Sequence, residues 1–277
     1  MKKSINLLLN ILLIITIFSS CKKDNPDDQS DMRHVQINNI YETVSNDIFK
    51  TFLYGILAAN DSLYRPNDST NYRLNEPCIS FNLSPFDTTT WPKTLLLSFP
   101  SGGCECTDGV IRAGDLSIEI QSPGLQSESK FLISLNNYSI ESMPVSGYKK
   151  IYGTSGVGLS FLDTTSLQVT TPFPATQWSA SHNIQFALGS STHQEPGDDL
   201  FIYNGKATCL PITANDDLIY NATIIEAMQF INNCYWIGSG KIEIIPYNLS
   251  GRTVTYLDSC INQATITVNN ENQIINF

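Results

Sequence analysis

The sequence predicts a mainly β chain, its antiparallel sheets arranged as a sandwich or an elongated meander, with one N-terminal amphipathic helix. Three observations carry that expectation. From Cys78 onward, short segments alternate apolar and polar residues, are rich in β-branched and aromatic types, and are separated by Gly, Asn, Asp and Pro. Helical spacing of apolar residues stands out over one stretch only, Asn46 to Asn60. Beyond residue 21 the chain carries six cysteines, an even set that suits a disulfide-stabilised exported domain.

The N-terminal segments come first. Lys2 and Lys3 precede a run from Ile5 to Phe18 that is broken only by Asn6, Asn10 and Thr16. A spanning helix needs roughly 20 apolar residues, so this shorter run reads as a signal peptide over residues 1–20. Phe18-Ser19-Ser20-Cys21 follows and resembles the lipobox of bacterial lipoproteins, in which a large apolar and two small residues precede the cysteine that receives diacylglycerol. The resemblance implies cleavage before Cys21, lipid on Cys21, the membrane as a partner through that lipid, and an outer membrane address on the periplasmic or the cell-surface face. Two or more acyl chains, at ~0.8 kcal/mol per buried CH₂, give stable anchoring.

Residues 21–44 read as a flexible acidic tether, since Lys22-Lys23-Asp24-Asn25-Pro26-Asp27-Asp28 has nothing to bury. His34 falls within it. The acids close behind Cys21 resemble the surface-export signal of Bacteroidota lipoproteins, and a merely soluble spacer explains the same composition.

Residues 45–277 read as the β domain with its N-terminal helix. Ile48, Phe49, Phe52, Leu53, Ile56 and Leu57 lie at helical spacing, with Asn46 or Asp47 as N-cap. In Asp115 to Gln121, Leu116, Ile118 and Ile120 face one way and the polar residues the other. Thr94 to Phe99, Lys130 to Leu135, Asn183 to Leu188, Lys241 to Ile245, Thr253 to Leu257 and Ala264 to Val268 share that period, which suits antiparallel sheet with one wet face. The strands around Cys104/Cys106 and around Cys260 both read as hairpins whose turn carries cysteine.

Cys78, Cys104, Cys106, Cys209, Cys234 and Cys260 are the disulfide candidates. Cys104 and Cys106 are too close in sequence to bridge without strain and point the same way in a strand, so they are expected to reach different partners. Cys234 to Cys260 is the first choice because both flank C-terminal strands that should pair.

The stretch Cys104-Glu105-Cys106-Thr107-Asp108-Gly109, continuing to Arg112 and Gly114, together with Cys234-Tyr235-Trp236-Ile237-Gly238-Ser239-Gly240 and the Asp258-Ser259-Cys260 hairpin, resembles an uncharacterised Bacteroidota lipoprotein family. The similarity runs from Cys78 to the C-terminus and implies a fold, not an activity. Asp61-Ser62-Leu63, Asp68-Ser69-Thr70, Asp87-Thr88-Thr89 and Asp163-Thr164-Thr165 resemble the O-glycosylation signal of the same bacteria, which makes Ser62, Ser69, Thr88 and Thr164 candidates in what read as exposed loops.

Chemistry is harder to find. The formal charge of −10 becomes −12 once Lys2 and Lys3 leave with the signal, which argues against nucleic acid as a partner. His182 reads as the start of a strand. His193-Gln194-Glu195 with Asp198 and Asp199 offers an acid/base or metal cluster, but no second histidine stands at ligand spacing, so a polar loop before the strand at Leu200 is the simpler reading. Gly153-Thr154-Ser155-Gly156 and Gly238-Ser239-Gly240 lack the spacing of a nucleophile elbow and read as hairpin turns. Asp198-Asp199 and Asp216-Asp217 lack a calcium-loop pattern. Trp91, Trp178 and Trp236 suit either core positions or a platform for sugars or peptides. The expectation is therefore a lipid-anchored binding or structural module for a protein or glycan ligand, with no cofactor, no metal and no catalytic residues assigned. The alternative is a secreted hydrolase using the His193 to Asp199 loop. Cys21→Ser should accumulate as an uncleaved, unlipidated precursor; mass analysis and membrane fractionation check this, and normal processing of the variant would refute the anchor.

Overall fold

Arg33–Tyr64 forms one helix, α1, and solvent is shut out around its middle. Every residue from Tyr41 to Leu53 is buried, which at 3.6 residues per turn covers all directions around the axis. A helix lying on one face of a sheet would leave a wet stripe. Here the sheet must curl around it. The computed structural model describes residues 30–64, 76–125, 128–154, 159–190, 196–213 and 217–277, so the signal peptide and Cys21 lie outside the described residues.

Thirteen strands follow: β1 (Ser80–Ser84), β2 (Lys93–Glu105), β3 (Ile111–Ile120), β4 (Lys130–Ile140), β5 (Met143–Thr154), β6 (Ser160–Val169), β7 (Thr176–Leu188), β8 (Leu200–Pro211), β9 (Tyr220–Ile231), β10 (Ser239–Pro246), β11 (Arg252–Tyr256), β12 (Gln263–Val268) and β13 (Glu271–Asn276). Each pairs antiparallel with its neighbours in sequence, and all belong to one sheet whose order is the chain order. This is a meander, not a sandwich. Among the described residues β1 and β13 pair with one strand each and not with one another, so the sheet is open; both are short and mostly polar, which limits edge-to-edge association.

Helix contacts follow the sheet round. Gly55 packs against Leu97 of β2, Phe52 against Phe131 of β4, and Phe49 against Phe161 of β6, Phe201 and Tyr203 of β8. Tyr41 stacks on Trp178 of β7 with centroids 5.4 Å apart and planes 3° from parallel. Most strands alternate buried and exposed positions, as in β7, where Thr176, Trp178, Ala180, His182, Ile184 and Phe186 face inward. Period-two alternation thus supplies an inner wall and a wet outer wall. The segments expected to be strands fall on strands, with Gln121 and Leu257 one residue past the ends of β3 and β11, and Leu116, Ile118 and Ile120 are buried as their period requires.

Glycines let neighbouring strands approach, Gly114 and Gly205 among them. A Cβ on Gly114 (φ +82°) would fall 2.2 Å from the Asn137 carbonyl, where β3 and β4 change register, and one on Gly205 (φ +153°) would fall 2.2 Å from the Ser181 carbonyl and 2.8 Å from the His182 ring. The β12–β13 turn uses Asn269 and Asn270, both left-handed (φ 51° and 66°), as a tight hairpin requires.

The helix differs from expectation at its start. It begins at Arg33, inside the stretch read as tether, and extends to Tyr64; His34 is a buried helical residue. Its burial is not that of an amphipathic helix either, because Asn38, Glu42, Ser45, Asn46, Asp47 and Lys50 are buried together with the apolar residues. No helix among the described residues is long and apolar enough to cross a membrane.

Candidate functional site

Ionisable groups inside the sheet form two clusters around α1. In the first, Lys149 of β5 is ion-paired with Asp163 of β6 and donates to Ser45 of α1 and to Thr165, each at 2.8 Å. Thr165 in turn bonds the second Asp163 oxygen at 2.7 Å. His182 of β7 stands between two carboxylates, with Nε2 3.5 Å from Glu42 of α1 and Nδ1 3.6 Å from Asp163. These are ion-pair distances, longer than hydrogen bonds. Two acids and two bases thus meet where solvent does not reach, since all four are buried.

Burial penalises each charge, and its balance against the neighbouring charges sets each outcome. Burial would lower the His182 pKa, but Glu42 and Asp163 outweigh it and push it up to about 9. Burial would raise Asp163, but Lys149 and His182 hold it below the usual carboxylate range. Lys149 is lowered by burial despite Asp163.

The second cluster lies at the β2–β3 turn. Arg112 of β3 is ion-paired with Asp47 of α1 and with Asp108 of the turn, and Tyr138 of β4 donates to Asp47 at 3.2 Å. Burial works against Arg112, yet Asp47 and Asp108 beside it keep its pKa above the usual guanidinium range. Lys50 donates to the Asn232 carbonyl at 3.4 Å and is lowered by burial. Neutral anchors complete the seat: Tyr203 donates to Asn46 at 3.0 Å, and Tyr41 donates to the Thr176 carbonyl at 2.8 Å while accepting from the Val169 amide at 3.3 Å.

An open cleft of about 560 Å³ has a different character. It lies among the ends of β4, β5, β6 and β7, where Leu135, Tyr138, Val145, Gln168, Phe173 and Thr176 are among its lining residues. None of its lining residues is Asp, Glu, Lys, Arg or His. Such a surface offers hydroxyl, amide and apolar contacts and no acid/base pair.

The residues singled out from sequence do not assemble into one site. Cys78–Cys104 and Cys234–Cys260 are disulfides, the latter as first chosen. Cys106 and Cys209, expected in a bridge, lie outside both and are buried. Geometry explains this: Cys104 and Cys106 neighbour one Cys78, and Cys209 points inward from β8. His193, Ser69 and Ser155 lie outside the described residues. Asp199 is buried and accepts from Tyr54 at 2.6 Å, while Asp198 is exposed beside it.

The glycosylation candidates do not share a loop setting. Ser62 sits in the last turns of α1 and bonds back to the Ala58 carbonyl at 2.8 Å, and Thr164 lies on the outer face of β6 next to the inward Asp163. Thr88 is exposed in the β1–β2 turn, where Asp87 accepts from the Thr89 and Thr90 amides at 2.8 and 2.6 Å. Trp178 is a core residue, and Trp91 and Trp236 are half-buried, so no three-tryptophan platform forms.

His182, Glu42, Lys149 and Asp163 were missed as a cluster; the available signal was a charged or polar residue at the inward phase of an otherwise apolar strand. No family model, curated protein or solved structure matches the chain.

The raised His182 pKa carries a pH dependence. From an unfolded value of 6.5 to a folded one of about 9, His182 contributes on the order of 3 kcal/mol, fully present below pH 6.5 and lost as pH rises through about 9. Urea unfolding from pH 6 to 10 should show wild type losing its advantage over His182→Gln across that window. A constant difference between the two would contradict the charged histidine.

Proposed function

We propose that the protein is a lipid-anchored extracytoplasmic lipoprotein, held to the outer membrane through Cys21, that acts as a binding or structural module for a protein or glycan. The observation that carries the binding role is the contrast between its two kinds of polar surface. Charged groups able to move protons are enclosed and paired around α1, whereas the open cleft is neutral. Acid/base catalysis needs such a group within reach of substrate. Neutral hydrogen-bonding side chains such as Ser146 and Gln168 beside Phe173 suit sugar hydroxyls or peptide amides instead.

The anchor and the address rest on sequence, on Phe18 to Cys21 and on the run of Leu and Ile before them. Resemblance to Bacteroidota lipoproteins supports the same reading, and the acids Asp24, Asp27 and Asp28 favour the cell-surface face. Two disulfides, one at β1–β2 and one around β10–β11, suit an oxidising compartment.

The test uses the full-length lipoprotein extracted in mild detergent. Screening against neutral oligosaccharides and peptides should give saturable binding that Ala175→Trp, which fills the cleft, removes without lowering thermal stability. The same preparation should turn over no esterase, glycosidase or peptidase substrate. Turnover abolished by both His193→Ala and Asp199→Asn, with folding intact, would replace the module by the hydrolase.

A further inference from the structure

Three sulfur atoms meet at the base of the β2–β3 turn, and the disulfide uses only two of them. Cys78 is bonded to Cys104, while the Cys106 thiol, the Cys78 sulfur and a Glu76 carboxylate oxygen all lie within 4.8 Å of one another. The turn holds this arrangement: the Cys106 amide donates to the Val110 carbonyl at 2.9 Å, and the Gly109 amide donates to the Cys106 carbonyl at 2.9 Å. Glu76 is fixed from both sides, accepting from the Cys78 amide at 3.2 Å and from the Thr107 amide and hydroxyl at 2.9 and 2.7 Å.

We propose that these residues form a thiol–disulfide interchange site that moves the bridge from Cys78–Cys104 to Cys78–Cys106 and brings a thiol to Cys104. Cys106 gives its proton to Glu76 and attacks Cys78; the Cys78–Cys104 bond breaks as the Cys78–Cys106 bond forms, and the departing Cys104 sulfur takes the proton. Nothing is oxidised or reduced overall, so no outside reagent is needed. Attack requires the thiolate. Burial pushes the Cys106 thiol up to about 11, which keeps it protonated in neutral water; Arg112 beside it favours the thiolate, and the Glu76 and Asp108 charges oppose it until Glu76 takes the proton. Glu76 is the near base that makes the step independent of hydroxide.

The two sulfurs are not equivalent toward solvent. Cys106 is buried and Cys104 half-buried at the end of β2, so interchange carries the reactive thiol outward, to a place that an external disulfide can reach. Cys209, fully buried in β8, serves as an internal control.

The experiment traps the native full-length protein in detergent with excess N-ethylmaleimide, then maps labels and bridges by mass spectrometry. Wild type should be labelled at Cys104 with Cys78 joined to Cys106, at a rate nearly flat between pH 7 and 9. Glu76→Gln should slow labelling at neutral pH by roughly a hundredfold and make it rise about tenfold per pH unit. Cys106→Ser should leave Cys104 unlabelled and the Cys78–Cys104 bridge intact. Label on Cys106 with that bridge unchanged, no label before unfolding, or equal labelling of Cys104 in Cys106→Ser would each overturn the proposal.

Discussion

A helix enclosed by a sheet must satisfy its own polar groups without water, and that constraint shapes most of this molecule. The middle of α1 presents Glu42, Ser45, Asn46, Asp47 and Lys50 to an interior where an unpaired charge costs several kcal/mol. Each faces a partner on the wall: Glu42 meets His182, Ser45 meets Lys149, Asn46 meets Tyr203, Asp47 meets Arg112, and Lys50 meets the Asn232 carbonyl. Aromatic contacts supply the apolar share, with Phe49 at their centre. Apolar packing alone would tolerate rotation or sliding of the helix. Buried ion pairs add little net stability but penalise misplacement, so we assign them the role of fixing the register of α1 within the sheet.

That use of charge bears on function. Lys149, Asp163, His182 and Glu42 have the composition of a catalytic cluster, and perturbed pKa values often mark active sites. For Lys149, Asp163 and His182 the perturbation comes from burial and mutual pairing around a helix, and all four residues are shut away from solvent. Among the described residues, the open cleft is neutral, and the sulfur cluster at the β2–β3 turn has a half-buried Cys104 at its edge. The disulfides pin strand pairs: Cys78–Cys104 encloses β1 and β2, and Cys234–Cys260 encloses β10 and β11, each across a separation of 26 residues.

The same polar network decided what could be read from sequence. Strand segments with a run of apolar inward positions, such as Leu116, Ile118 and Ile120 in β3, were legible from period alone. β5 and β6 were not, because Lys149, Asp163 and Thr165 occupy inward positions and break the alternation. α1 was legible from Asn46, where Ile48, Phe49, Phe52 and Leu53 dominate, and illegible before it, where Asn38, Asn39 and Glu42 mimic a solvated tether. The cluster itself is assembled from residues far apart in the chain, Glu42, Lys149, Asp163 and His182, which no local spacing connects. Cysteine pairing was legible where the two residues have no competitor, as at Cys234 and Cys260, and not where Cys104 and Cys106 neighbour a single Cys78.

The claim that paired charges seat the helix is tested most directly by a double-mutant cycle across Asp47 of α1 and Arg112 of β3, read as unfolding free energies. Asp47→Leu and Arg112→Met should each cost ~3 to 5 kcal/mol, because each leaves a buried charge short of its partner. The double variant should cost clearly less than the two together, with a coupling of at least ~1 kcal/mol. Strictly additive losses, or single losses no larger than the ~0.5 kcal/mol of a surface substitution, would contradict the account.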